Sequence, residues 1–159
     1  MEITAPPRGP GQRRQDVLDR LERELDIWVA TADPDGVPCM VPLWFVWHGD
    51  AVWLCTRAAN PTGRNLRDGG RARLALGHTR DVVLIDGEAE VFGLREAPAG
   101  AAEAFAGAAE AFAAKTGWDP RGDGASYAWF RVRPLAVQAW HEVRELKGRH
   151  IMRDGAWTA

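Results

Sequence analysis

The sequence predicts a mainly β protein: an antiparallel barrel of six or seven strands with two or three helices at its periphery. Three observations predict it. Strand-like runs succeed one another instead of alternating with helices, which argues against a doubly wound parallel sheet. Turn signals such as Asp33-Pro34-Asp35-Gly36 and His48-Gly49-Asp50 join those runs at hairpin spacing. No GxGxxG, Walker loop, HExxH, CxxC or GxSxG occurs, so the sequence motifs of nucleoside-triphosphate, zinc-protease and esterase chemistry are absent.

The elements follow in order. Residues 1–14 hold Pro6, Pro7, Gly9, Pro10 and Gly11 and read as a flexible arm, leaving 15–159 as one domain. Val17, Leu18, Leu21 and Leu25 form one face of a helix over Gln15–Leu25. Ile27–Ala32 is a strand. Val37–Trp47 is a second strand, and it does not alternate: nearly every residue is apolar. Such a strand has no wet face, so one side needs the barrel core and the other a second subunit or a ligand. Pro38 and Pro42 cannot donate to a ladder and predict an edge or a bulge there. Ala51–Thr56 returns from the hairpin. A short helix then runs to Asp68-Gly69-Gly70, and Arg71–Gly77 alternates as a half-buried strand.

Val82–Phe92 is a longer strand with a bulge at Asp86-Gly87. Ala97–Lys115 is an alanine-rich amphipathic helix, with Phe105 and Phe112 seven apart and Gly117 as its cap. Ala125–Val132 and Leu135–Val143 are strands on either side of Pro134. Met152–Trp157 closes the chain as a short strand or turn centred on Asp154-Gly155.

Composition bounds the function. The 159 residues are 46% hydrophobic and 26% charged, the profile of a globular domain able to bury a core without metal or disulfides. A net charge of −2 argues against a nucleic-acid-binding surface, despite the run Arg57, Arg64, Arg67, Arg71 and Arg73. Cys39 and Cys55 lack metal-ligand spacing and read as free thiols. No signal peptide or membrane-length apolar run is visible, so a cytoplasmic location is expected. The eight tryptophans serve core and interface packing first, with one or two able to stack on a flat ligand.

The most informative segment is Leu54-Cys-Thr-Arg-Ala-Ala-Asn-Pro-Thr-Gly-Arg-Asn-Leu-Arg67, the end of a strand and the start of a helix. Asn60 is an N-cap and Pro61 suits the first helical position. The N–H groups of Thr62 and Gly63 lack intrahelical partners, and the helix dipole favours an anion. With hydroxyls from Thr56 or Thr62 and the guanidinium groups of Arg57 and Arg64, the segment reads as a phosphate clamp. No catalytic constellation is visible. His48, His78, His141 and His150 read as structural or surface residues, His141 being best placed to reach a subunit seam. Glu88 and Glu90 read as a solvated strand face.

Four segments together resemble the pyridoxamine 5′-phosphate oxidase-like split β-barrel superfamily, and within it the actinobacterial flavin- and deazaflavin-dependent oxidoreductases. They are Trp28–Pro38, Val41–Trp47, Cys55-Thr-Arg with Arg64-Asn-Leu-Arg67, and Val132-Arg-Pro with Met152–Trp157. The resemblance implies a split barrel, a homodimer and two cofactor sites at its seam. The cofactor would be FMN or the deazaflavin coenzyme F(420), with haem as a lesser alternative. It implies that the strand through Val41, Pro42, Leu43 and Trp44 lies along the ring system. Cys55 and Thr56 with the following helix start hold the phosphate, and Trp140 comes from the second chain. Many relatives carry a phosphate-binding lysine where this chain has Thr62. The implied function is an oxidoreductase moving a hydride to or from a small organic substrate. The alternative is a carrier or sensor that binds flavin, deazaflavin or haem without turnover. The arginines at 67, 71 and 73 could meet the polyglutamate tail of F(420) or simply face solvent.

Overall fold

Alternation along the strands decides the architecture. In the computed structural model, which describes residues 5–93, 100–124 and 126–158, the chain runs α1 (Pro10–Arg23), β1 (Asp26–Ala32), β2 (Pro38–His48), β3 (Ala51–Arg57), α2 (Pro61–Gly69), β4 (Arg71–Ala75) and β5 (Asp81–Gly93). It continues through α3 (Ala102–Thr116), β6 (Tyr127–His141), β7 (His150–Arg153) and β8 (Ala156–Trp157). The sheet order is β3-β2-β1-β4-β5-β6-β7-β8, and β3 also pairs with β6. Six antiparallel strands therefore close a barrel, with β7 and β8 as an added hairpin, as the sequence predicts.

Two hydrophobic cores share the strands. Ile27, Val29, Phe45, Val52, Leu54, Leu74, Val83, Ile85, Phe130, Val132 and Val137 fill the barrel, joined by Val17 and Leu21 of α1 and Leu66 of α2. The alternate residues Val46, Trp53, Cys55, Phe92 and Trp129 point outward, under Ala108, Ala109 and Phe112 of α3. This explains why β3 is apolar at every position from Ala51 to Cys55: each of its faces meets a core. The stacked, tilted and edge-to-face contacts of Trp53, Phe92, Phe105, Phe112 and Trp129 build the second core, with centroids 5.0–6.4 Å apart.

β2 is covered only in part. It pairs with β3 through Phe45–His48 alone, whereas Pro38–Trp44 pair with β1. The two strands diverge beyond Phe45 and Leu54, and α2 packs into the gap. Pro38 and Pro42 thus lie on a free strand edge, one of the two outcomes expected of them. Val41 and Leu43 pack on the barrel core, while Met40 (62% exposed), Trp44 (39%) and Trp28 of β1 (40%) stand on the outer face.

The structure corrects several boundaries. The expected flexible arm over 1–14 is shortened, because Pro10 opens α1 at its first turn. Arg8 then donates to the carboxylate of the fully buried Glu145, and buried Arg13 donates to the carbonyls of Ala139, Glu145 and Lys147. Isolated arginines in a polar segment look solvent-bound in sequence; here distant carbonyls take them in. Pro134 does not separate two strands. β6 runs unbroken for 15 residues, because the expected bulge at Asp86/Gly87 shifts the register at that point and absorbs the missing N–H. β4 ends at Ala75, and Ala97 and Ala125 lie outside the described residues. The Asp154-Gly155 turn joins β7 to β8 with φ of 51° and 77°, the left-handed pair that a two-residue hairpin needs.

Two outcomes follow. A Cβ on Gly87 would stand 2.6 Å from the Arg133 carbonyl, so Gly87→Ala should lower unfolding free energy by about 1–3 kcal/mol in urea titration. Burial alone would raise the Glu145 carboxyl, but hydrogen bonds from the Arg8 side chain and N–H and from the His141 N–H outweigh it and hold it at about 2, against an ordinary value of 4.5. A depressed acid stabilises the fold above its unfolded value and loses that contribution as pH falls toward the folded one. Melting temperature should therefore drop between about pH 4.5 and 2, with a shallower drop in Glu145→Gln.

Candidate functional site

The gap between β2 and β3 gathers most of the residues that the sequence singles out. Asn60 caps α2: its Oδ1 accepts the Gly63 N–H at 2.9 Å, and its Nδ2 donates to Thr56 Oγ1 at 3.1 Å. The Asn60 carbonyl accepts the Arg64 N–H at 3.0 Å. The turn before the helix is tight, and a Cβ on Gly63 would collide with the Arg57 carbonyl. That close approach requires glycine there. Asn65 of α2 donates to Thr31 of β1 at 3.1 Å, a buried pair that ties the helix to the barrel.

The hydroxyls of the predicted clamp face inward. Thr62 is 1% exposed, with Oγ1 3.5 Å from Cys39 Sγ. Thr56 is buried with its hydroxyl engaged by Asn60. Cys55 points into the core under α3, where burial pushes its thiol up to about 12. The accessible positive charge of the predicted clamp belongs to the two arginines. Arg64 is exposed, and its Nη1 donates to the Ala59 carbonyl at 2.8 Å. Arg57 is exposed and lies over the Tyr127 ring, 5.1 Å from its centroid. These residues fit an anionic group through the two guanidinium groups, and not through the threonine hydroxyls.

The free edge of β2 passes the start of α2, which both arginines flank. At one end, Pro38 and Cys39 line a cleft of about 450 Å³ with Pro61, Arg64, Asn65 and Asp68. At the other end, Trp44 meets Trp118 (6.5 Å, edge-on), Trp118 meets Tyr127 (5.2 Å), and Tyr127 holds Arg57. Trp118 and Tyr127 are absent from the sequence-derived set. The pairing of Tyr127 with Arg57 depends on the β3–β6 register, which no local pattern encodes.

Trp140 is not at this site. It pairs with Val82 at the far end of β6, roughly 40 Å of strand from Ala128 at about 3.3 Å per residue. Val82 lines a second, apolar cleft of about 320 Å³ with Trp28, Met40, Ala75, Leu76, His78 and Leu84. Arg67 pairs with Asp68 and Arg73 with Asp86. Glu90, expected as solvated, pairs with Arg131 and Arg133, and hydrogen bonding from Arg131 lowers its carboxyl. Two of the histidines serve local structure: His78 Nδ1 accepts the N–H groups of Arg80 and Asp81, and His141 Nε2 lies 3.2 Å from Asp81. Among the described residues no group of three or more His, Cys, Asp and Glu could hold a metal, and no helix is long and apolar enough to cross a membrane.

Residues 14–141 match the family described as pyridoxamine 5′-phosphate oxidase. Solved structures with the same fold include the haem storage protein HutZ from Vibrio cholerae, at TM-score 0.67 and 13% identity, covering 84% of this chain and 99% of that one. They include an FAD-binding protein from Mesorhizobium loti, at TM-score 0.60 and 19% identity, covering 78% and 89%. An F(420) reductase aligns at TM-score 0.55 and 21% identity, covering 75% and 93%. These identities establish the fold alone. No curated protein matches the chain.

The cap is directly testable. Asn60→Ala removes the Gly63 contact and frees Thr56, and should cost about 1 kcal/mol in chemical unfolding.

Proposed function

The chain belongs to the pyridoxamine 5′-phosphate oxidase family, and on that premise we propose that it is an oxidoreductase that binds FMN or the deazaflavin coenzyme F(420). One observation carries the reading. The unpaired edge of β2, with Met40, Pro42 and Trp44 outward, is an apolar strip beside the start of α2, which Arg57 and Arg64 flank. A flat ring system that carries a phosphate is complementary to that strip. Such a cofactor supplies the hydride chemistry itself. The protein's part is to hold the phosphate with Arg57 and Arg64, lay the ring on β2 and keep water away.

The partner in this reading is a second copy of the chain. Trp28, Met40 and Trp44 leave much apolar surface exposed beside the cleft of Val82 and Leu84, and surface of this kind marks an interface. A two-fold dimer through this face would let Trp140 of one protomer approach the β2 edge of the other. The reacting molecule is a small organic substrate.

Titration of the purified protein with FMN and with F(420), followed by absorbance and fluorescence, tests the proposal. Saturable binding of one of them is expected, and binding of neither overturns it. Arg64→Ala should weaken that binding about tenfold, since a charge-assisted contact is worth about 1.5–3 kcal/mol, and the melting temperature should stay unchanged.

A further inference from the structure

We propose that Tyr127 is a positioning residue for the cofactor phosphate: its ring holds the Arg57 guanidinium at the mouth of the gap between β2 and β3, with Trp118 bracing the ring. The inference rests on the phosphate reading of Arg57 and adds to it the residues that set the arginine in place.

The geometry accounts for each step. Arg57 and Tyr127 are register partners on antiparallel β3 and β6, so their side chains share one face and meet across the ladder. The guanidinium carbon lies 5.1 Å from the ring centroid, within the range of cation–π attraction. The backbone of Arg57 is fixed as well. Its carbonyl accepts the Asn60 N–H at 3.3 Å, and the next N–H, of Ala58, donates to Ser126 at 2.9 Å. With the backbone fixed and the side chain stacked, little rotamer freedom is left for a ligand to remove.

Trp118 transmits this order from α3. Gly117 ends the helix in the left-handed region at φ 77°. Thr116 Oγ1 then accepts the Trp118 N–H at 3.1 Å, and the Trp118 indole donates to Asp123. The indole stands edge-on to Tyr127 at 5.2 Å and to Trp44 at 6.5 Å. The row Trp44–Trp118–Tyr127–Arg57 therefore links the ring-facing strand to the phosphate arginine by direct contacts. Lysine at 57 would keep the charge but lose the planar stack.

FMN and riboflavin, which differ only in the phosphate, are the probes, read by flavin fluorescence with melting temperature as a folding control. If the parent takes F(420) instead, the matching pair is that coenzyme and its phosphate-free chromophore. Tyr127→Leu should weaken the phosphate-bearing ligand about two- to fivefold, the range a surface cation–π contact carries, and leave the phosphate-free ligand unchanged. Tyr127→Phe should bind as the parent does. Arg57→Lys should match Tyr127→Leu, and it needs no change in the barrel wall, so it serves where Tyr127→Leu does not fold. Adding Tyr127→Leu to Arg57→Ala should produce no further loss. An unchanged phosphate dependence in Arg57→Ala overturns the phosphate reading itself. A loss in Arg57→Ala with parental binding in Arg57→Lys or Tyr127→Leu overturns the role of Tyr127 alone, as does an equal loss of both ligands in Tyr127→Leu.

Discussion

The parting of β2 from β3 beyond Phe45 and Leu54 is the constraint on which the rest of the structure depends. Up to that point the strands form an ordinary hairpin. Beyond it β2 stays with β1 alone and β3 with β6 alone. The barrel closes by the β3–β6 ladder, and the gap left behind must be filled. α2 fills it with Leu66 in the core and the Asn65–Thr31 pair as an anchor. The start of α2, the free edge of β2 and the Arg57–Tyr127 pair meet at one place because this single divergence brings them there.

Burial then divides the labour between faces. α3 covers the outer side of β3 with an aromatic core, so that strand can be apolar at every residue from Ala51 to Cys55. Among the described residues no helix covers Trp28, Met40 and Trp44 in this way, and all three are exposed. The same chemistry, an apolar strand with no wet face, thus has two outcomes within one barrel: an internal helix meets one strand, and the other keeps its surface open for the occupant proposed above.

Much of this was legible in the sequence. The antiparallel order, the Asp86-Gly87 bulge, the Asn60 and Gly117 caps and the double-sided demand of β2 all follow from local pattern, because each is settled within a few residues. What the sequence hid is non-local. Thr62 looked available to an anion until β2 placed Cys39 against it. Arg8 and Arg13 fall in the segment that reads as a flexible arm, and only Glu145 and three distant carbonyls fix them. Tyr127 carried no signal, because its meaning lies in a partner 70 positions away across the ladder. Pro134 read as a break only because its place opposite Gly87 was unknown.

The clasp between Arg8 and Glu145 joins residues 137 positions apart. α1 also lends Val17 and Leu21 to the barrel core. Contacts of such separation carry a large closure entropy and slow the approach to the native state. α1 therefore has no finished surface to settle on until β6 and the turn after it have been made. Assembly of this barrel waits on β6 and Glu145, and a nascent chain halted before Glu145 holds an amphipathic helix with its buried face still in water.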